Sequence, residues 1–261
     1  MKLAMAGFGG IAVFIFVILG SAQRAPADAN GNYITQVYED LLQAPPSSGD
    51  LTTWDSFLTG GGTRFNFVTS VEAKPAYLDL LIEQQYSHYL KRSPLPTELS
   101  NLQSAMSGGL TVEQMQSSIL GTPEFFTNSG GTNLGFVDAM YPDVLNRPPT
   151  SGELTGWENI LGSGGQRSDA ALVLLSGTEY EQDFVTGAYQ QFLRRLPLTS
   201  ELNFYVTDMS GGATDQTVIA DLLSTEEYYN RAQTPEPSSL AGIALGFAVL
   251  SLRRRKIRIA K

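Results

Sequence analysis

The chain has 261 residues, enough for one large domain or two small ones. It contains no cysteine, which excludes a disulfide framework and any thiolate metal or redox centre, and its single histidine excludes a multi-histidine metal site. Net charge is −9, and between Gly31 and Gln233 there are 24 Asp and Glu against 9 Lys and Arg; such a surface repels a polyanion and sets nucleic acid aside as a partner.

Residues 1–22 read as a secretory signal peptide. Lys2 is the only basic residue before the apolar stretch Leu3 to Gly20, and small residues then end in Gly20-Ser21-Ala22. Cleavage is expected after Ala22, with Ala27 and Ala29 as alternatives and an uncleaved N-terminal anchor as the rival reading. Residues 23–32 form a linker.

A fourfold repeat follows, aligned on Tyr38, Tyr86, Tyr141 and Tyr189. Four residues on stands a leucine (Leu42, Leu90, Leu145, Leu193), and eight on a proline (Pro46, Pro94, Pro149, Pro197). Twelve on lies an acid (Asp50, Glu98, Glu153, Glu201), always followed by leucine. Sixteen on lies Trp54, Leu102, Trp157 or Tyr205; a glycine pair comes next; and thirty-nine on stands Tyr77, Phe125, Tyr180 or Tyr228. The tyrosines are 48, 55 and 48 residues apart, and the longer gap holds the polar, Gly-rich run Thr127 to Asn133. The spacing therefore predicts two repeat pairs, 33–126 and 136–233, joined by a linker over 127–135, with one continuous helix crossing the short join inside each pair.

Each unit reads as helices. In the third, Val137, Tyr141 and Val144-Leu145 share one face of a first helix, which Pro148-Pro149 stops. Thr150 and Glu153 have capping-box spacing at the next helix, whose apolar stripe is Leu154, Trp157 and Leu161 and whose end is Gly164-Gly165. A third helix is expected from about Ser168, with Ala171, Leu172 and Leu175 inward. Thr178-Glu179-Tyr180-Glu181 is expected to cap the fourth, and Thr122-Pro123-Glu124 does the same in unit two. No stretch alternates with period two. The predicted class is all-α: four helical repeats of about 48 residues as two tandem helical domains, with an N-terminal signal and a short C-terminal membrane helix.

Phe136-Val137, Tyr141, Val144 to Pro149, Gly152, Leu154, Trp157, the glycine pair and Gly177 to Tyr180 together resemble the bacterial domain of unknown function 4214. The resemblance covers roughly Tyr33 to Arg231 and is closest in units three and four. Unit one departs, with Gln43-Ala44 where the others have an arginine and Lys74-Pro75-Ala76 where they have an acidic cap. Leu193-Arg194-Arg195 and Ser224 to Tyr228 are more faintly similar to the helical linker domains of phycobilisomes. The resemblance implies a helical fold on a cell-surface or secreted protein and implies no activity.

Candidate chemistry is sparse, and no cofactor or metal is expected. His88, the lone histidine, reads as structural. The acids that recur in every unit stand at helix starts, where a carboxylate complements free N–H groups and the helix dipole, so they read as scaffold rather than as a glycosidase pair. No spacing supplies the six or seven oxygens calcium requires. Trp54 and Trp157 could stack on sugar rings if exposed, but they hold the stripe position of Leu102 and Tyr205, which reads as core. Arg194 and Arg195, like Lys91 and Arg92, follow a first helix; they are expected to satisfy its last carbonyls and pair with local acids, with an anionic glycan as the livelier alternative.

The tail, 234–261, contains Pro235-Glu236-Pro237, an apolar run from Leu240 to Leu252, and a basic block with Arg253, Arg254 and Arg255. As a helix the run would span roughly 20 Å, short for a bilayer core of about 30 Å, and the arginines fit an end left on the cytoplasmic side. This order of parts resembles the PEP-CTERM sorting tail of Gram-negative bacteria. That resemblance implies the secretion machinery and exosortase, a membrane-embedded cysteine transpeptidase, as partners, cleavage near the tripeptide after an inner-membrane intermediate, and a host that makes exopolysaccharide. The expectation is an exported, non-catalytic surface or extracellular-matrix protein of biofilm or envelope. The alternative is an exopolysaccharide-binding module, and a glycan-active enzyme comes third.

Overall fold

Four times over, the same local signals write the same four-helix unit. The computed structural model describes residues 29–234, and within them every regular element is helical: α1 (Ala29–Leu42), α2 (Ser48–Thr59), α3 (Arg64–Glu72), α4 (Pro75–Tyr89), α5 (Pro96–Ser107), α6 (Val112–Leu120), α7 (Pro123–Asn128), α8 (Asn133–Leu145), α9 (Ser151–Gly162), α10 (Arg167–Leu175), α11 (Thr178–Ala188) running into a π-helical turn (Tyr189–Leu193), α12 (Thr199–Ser210), α13 (Asp215–Ser224) and α14 (Glu226–Arg231). The predicted signal peptide, short membrane helix and sorting tripeptide lie outside the described residues. Among those described, no helix is long and apolar enough to cross a membrane.

The first helix of each unit ends on a residue in the left-handed region: Gln43, Lys91, Asn146 and Arg194, with φ of 53°, 57°, 54° and 58°. A non-glycine residue there is strained by its Cβ, so contacts elsewhere in the unit must hold the turn. In the second helix, the repeated acid accepts the backbone N–H three residues back in units two to four: Leu95 to Glu98 at 2.6 Å, Thr150 to Glu153 at 2.7 Å and Leu198 to Glu201 at 2.7 Å. In unit one Ser47 caps Asp50 N at 3.0 Å instead. Each second helix then ends at a glycine with φ between 92° and 108° (Gly61, Gly109, Gly164, Gly212), a conformation other residues rarely adopt. The fourth helix opens on Thr122 in unit two and Thr225 in unit four, whose hydroxyls accept Phe125 N and Tyr228 N, both at 3.2 Å. In unit three the cap is Gly177, and Thr178 is already the first helical residue, because a glycine fills the slot the threonines occupy elsewhere. As the short joins require, α4 and α11 with its π turn each carry the fourth helix of one unit into the first of the next.

The repeat pairs do not pack as two tandem units. The third helices pair across them, α6 on α10 and α3 on α13, and one continuous cluster of buried residues runs from Tyr33 to Tyr228. The reason is that the third helices bury side chains on two sides, so neither pair covers its own. The Gly-rich stretch is a tight turn: Gly130 and Gly131 have φ of 92° and 66°, and Gly131 N donates to Phe126 O at 2.9 Å.

The packing also closes on itself. Phe125 of α7 meets Phe136 of α8 edge-on at 5.8 Å; Tyr228 of α14, at the same repeat position, meets Tyr33 of α1 at 6.0 Å. Tyr228 further donates to Asp40 Oδ2 at 2.7 Å, Tyr33 donates to Leu223 O at 3.1 Å, and Gln233 Nε2 reaches Ala29 O at 3.1 Å. Unit four thus hands over to unit one as unit two hands over to unit three, which gives the body a pseudo-twofold axis.

Candidate functional site

The recurring acids are held by arginines, and the arrangement repeats. In unit four, Arg195 donates to both oxygens of Glu201, each at 2.7 Å, and to both oxygens of Glu227, at 2.6 and 2.7 Å. Its guanidinium carbon lies 5.0 Å from the centre of the Tyr189 ring. Arg92 grips Glu98 and Glu124 in the same way, and Arg147 grips Glu153 and Glu179. The adjoining guanidinium holds Glu98 and Glu153 down to about 2, and Glu124 and Glu201 below their ordinary range. Each clamp ties the strained turn to the start of the second helix and the start of the fourth. In unit one, Ala44 and Ala76 stand where the arginine and the second acid would be. Lys74 comes from the opposite side, reaches Asp50 at 3.1 Å and lies 5.6 Å over Tyr38.

The tryptophans belong to the same framework. Trp54 Nε1 donates to Tyr38 OH at 3.0 Å and Trp157 Nε1 to Tyr141 OH at 2.9 Å, and both side chains are half-buried against the core. Arg195 is half-buried in its clamp, while Arg194 is exposed at the left-handed position before it. These residues are not gathered into one cleft: each serves its own repeat. Lys91 donates to the carbonyl of His88, and His88 Nε2 lies 3.0 Å from that of Asp143.

The positions that sequence reasoning missed lie on the pseudo-twofold axis. A cavity of about 70 Å³ is enclosed by α4, α6, α11 with its π turn, and α13. Three of its buried side chains are polar where their twofold partners are apolar: Gln85 opposite Ala188, Gln116 opposite Ile219, and Asp215 opposite Val112. Gln116 donates to Gln85 at 3.2 Å, and Tyr180 donates to Asp215 Oδ2 at 2.7 Å, while Asp215 Oδ1 is buried without a hydrogen-bond partner. Burial, with Glu113 beside it, holds the Asp215 carboxyl well above its ordinary range. The π turn, a rare form often found at functional sites, borders this cavity through Gln191 and Phe192, whereas the matching part of α4 is regular. The signal that could have revealed these positions was in the repeat: a polar residue in a column that is apolar elsewhere. Among the described residues, no group of three or more His, Cys, Asp or Glu could hold a metal ion.

The family model described as "Domain of unknown function (DUF4214)" matches residues 116–183 and 177–232. The match begins inside unit two, so unit one lies outside it although it shares the helices and the closure. A second model, the PEP-CTERM protein-sorting motif, matches residues 233–256. No curated protein and no solved structure matches the chain significantly. The chain is an exported protein with a PEP-CTERM sorting motif, directed to membrane-associated processing by exosortase, and its C-terminal half belongs to the domain of unknown function 4214 family.

Proposed function

We propose that the mature protein is a non-catalytic component of the cell surface or extracellular matrix. The observation that carries this reading is the use of the repeated residues. In units two to four every repeated acid at a helix start is locked bidentately by an arginine, and both indole N–H groups are bonded to a tyrosine of the same repeat. Residues that recur because they hold a turn together are scaffold. A carboxylate gripped by a guanidinium is a poor proton donor at neutral pH, which speaks against a glycosidase-type pair built from them. The exopolysaccharide-binding alternative rests on Trp54, Trp157, Arg194 and Arg195, and the half-burial of the tryptophans and the full engagement of Arg195 favour the scaffold role over it.

The test is made in the producing bacterium with the chain tagged between residue 29 and the signal. Wild type should appear in the surface or extracellular fraction without its tail. Replacing Pro235 and Pro237 by alanine, or removing exosortase, should leave full-length chain in the membrane fraction. A chain that reaches the surface with its tail intact overturns the reading, as does turnover of a glycan by the purified protein.

A further inference from the structure

The repeat alignment exposes one departure that the scaffold does not explain. Leu120, Leu175 and Leu223 occupy the same position near the end of the third helix in units two, three and four, and all are fully buried. In unit one that position is Glu72, 5% exposed, with Oε1 buried and without a hydrogen-bond partner. A buried, unpartnered carboxyl costs stability, and leucine would fit the fold, as three units demonstrate.

Glu72 lines a cavity of about 340 Å³ between α3 and α13, closed by the start of α4 and the end of α5. Thr69, Thr217 and Gln216 add hydroxyl and carboxamide oxygens to its wall, and Phe65 and Met106 an apolar side. No basic residue lines it. The wall therefore offers one acidic acceptor and several neutral ones beside an apolar strip. An anion is repelled by such a wall, and a calcium ion, which takes six to eight oxygens, finds a single carboxylate. A group with several N–H donors and one positive charge on a short carbon chain satisfies all of it.

We propose that this cavity is a binding site for a primary ammonium group carried on a short aliphatic chain, with Glu72 as its counter-ion and Phe65 and Met106 against the carbons.

The test titrates the full chain, in mild detergent, with n-butylammonium chloride, following the methyl resonances of Thr69, Thr217 and Met106 by NMR. Saturable shifts of these methyls are expected, with n-butanol and tetramethylammonium at least tenfold weaker because one lacks the charge and the other the donors. Glu72→Leu, the residue of the other three units, and Glu72→Gln, which keeps the shape, should both fold and both weaken the response at least tenfold. The proposal is overturned if wild type shows no saturable shift, if n-butanol performs as well as the amine, or if the response survives in either folded variant.

Discussion

Replacing Arg195 by alanine removes a clamp that joins three elements, and its cost follows from the contacts. The bracket to Glu201 consists of two charge-assisted hydrogen bonds between groups about one-third exposed; such a bracket contributes about 1.5 kcal/mol. The bracket to Glu227 is more exposed, at 45% for the acid, and solvent reduces it to about 0.5 kcal/mol. Loss of the cation over Tyr189 adds about 0.5 kcal/mol at a half-exposed site. The expected loss is therefore roughly 2–3 kcal/mol, which for a folded body of this size lowers the melting temperature by roughly 5–10 °C. Arg195→Lys keeps the charge but not the fork, and should recover less than about half of the loss. Urea unfolding of Arg195→Ala, Glu227→Ala and the double variant measures the coupling directly. A coupling below about 0.3 kcal/mol, or a lysine variant as stable as wild type, would refute the view that the fork holds the turn.

Unit one offers the converse experiment: Lys74→Ala should destabilise, and adding Ala44→Arg with Ala76→Glu should restore the melting temperature by rebuilding the clamp from the other side. At the closing junction, Asp40 accepts from Tyr228 and Arg231 in a nearly buried site; Asp40→Ala leaves both without it and should cost roughly 3 kcal/mol, with faster amide hydrogen exchange confined to α1 and α14. Stability should also depend on pH in two opposite ways. Glu72 and Asp215 are held above the ordinary carboxylate range by burial, so the folded state binds more protons than the unfolded one and stability falls as pH rises through their folded values. Glu98 and Glu153, held at about 2, contribute fully above the ordinary glutamate value and lose that contribution as pH falls towards 2. Urea midpoints across pH 3 to 8 should show a mildly acidic maximum, and Glu72→Leu should raise the neutral-side midpoint and flatten its slope; an unchanged slope would contradict the buried-acid account.

Whatever depends on neighbours in the chain was legible in the sequence. The stops at Pro148-Pro149, the capping pair Thr150 and Glu153, the glycine at Gly164 and the fused helix from Pro75 to Tyr89 all rest on contacts within a few residues, which spacing records. The sorting motif is of the same kind, a linear signal read as such. Where the third helices go is settled by packing alone. The apolar faces of α3 and α6 show that they need partners, but not that the partners are α13 and α10, some 100 or more residues away for α3 and about half that for α6. The same holds for the clamp: Arg147 and Glu179 stand 32 residues apart, and nothing local announces that they meet. It holds above all for Glu72 and Asp215, which in sequence are two acids among many; burial, which only packing creates, sets them apart.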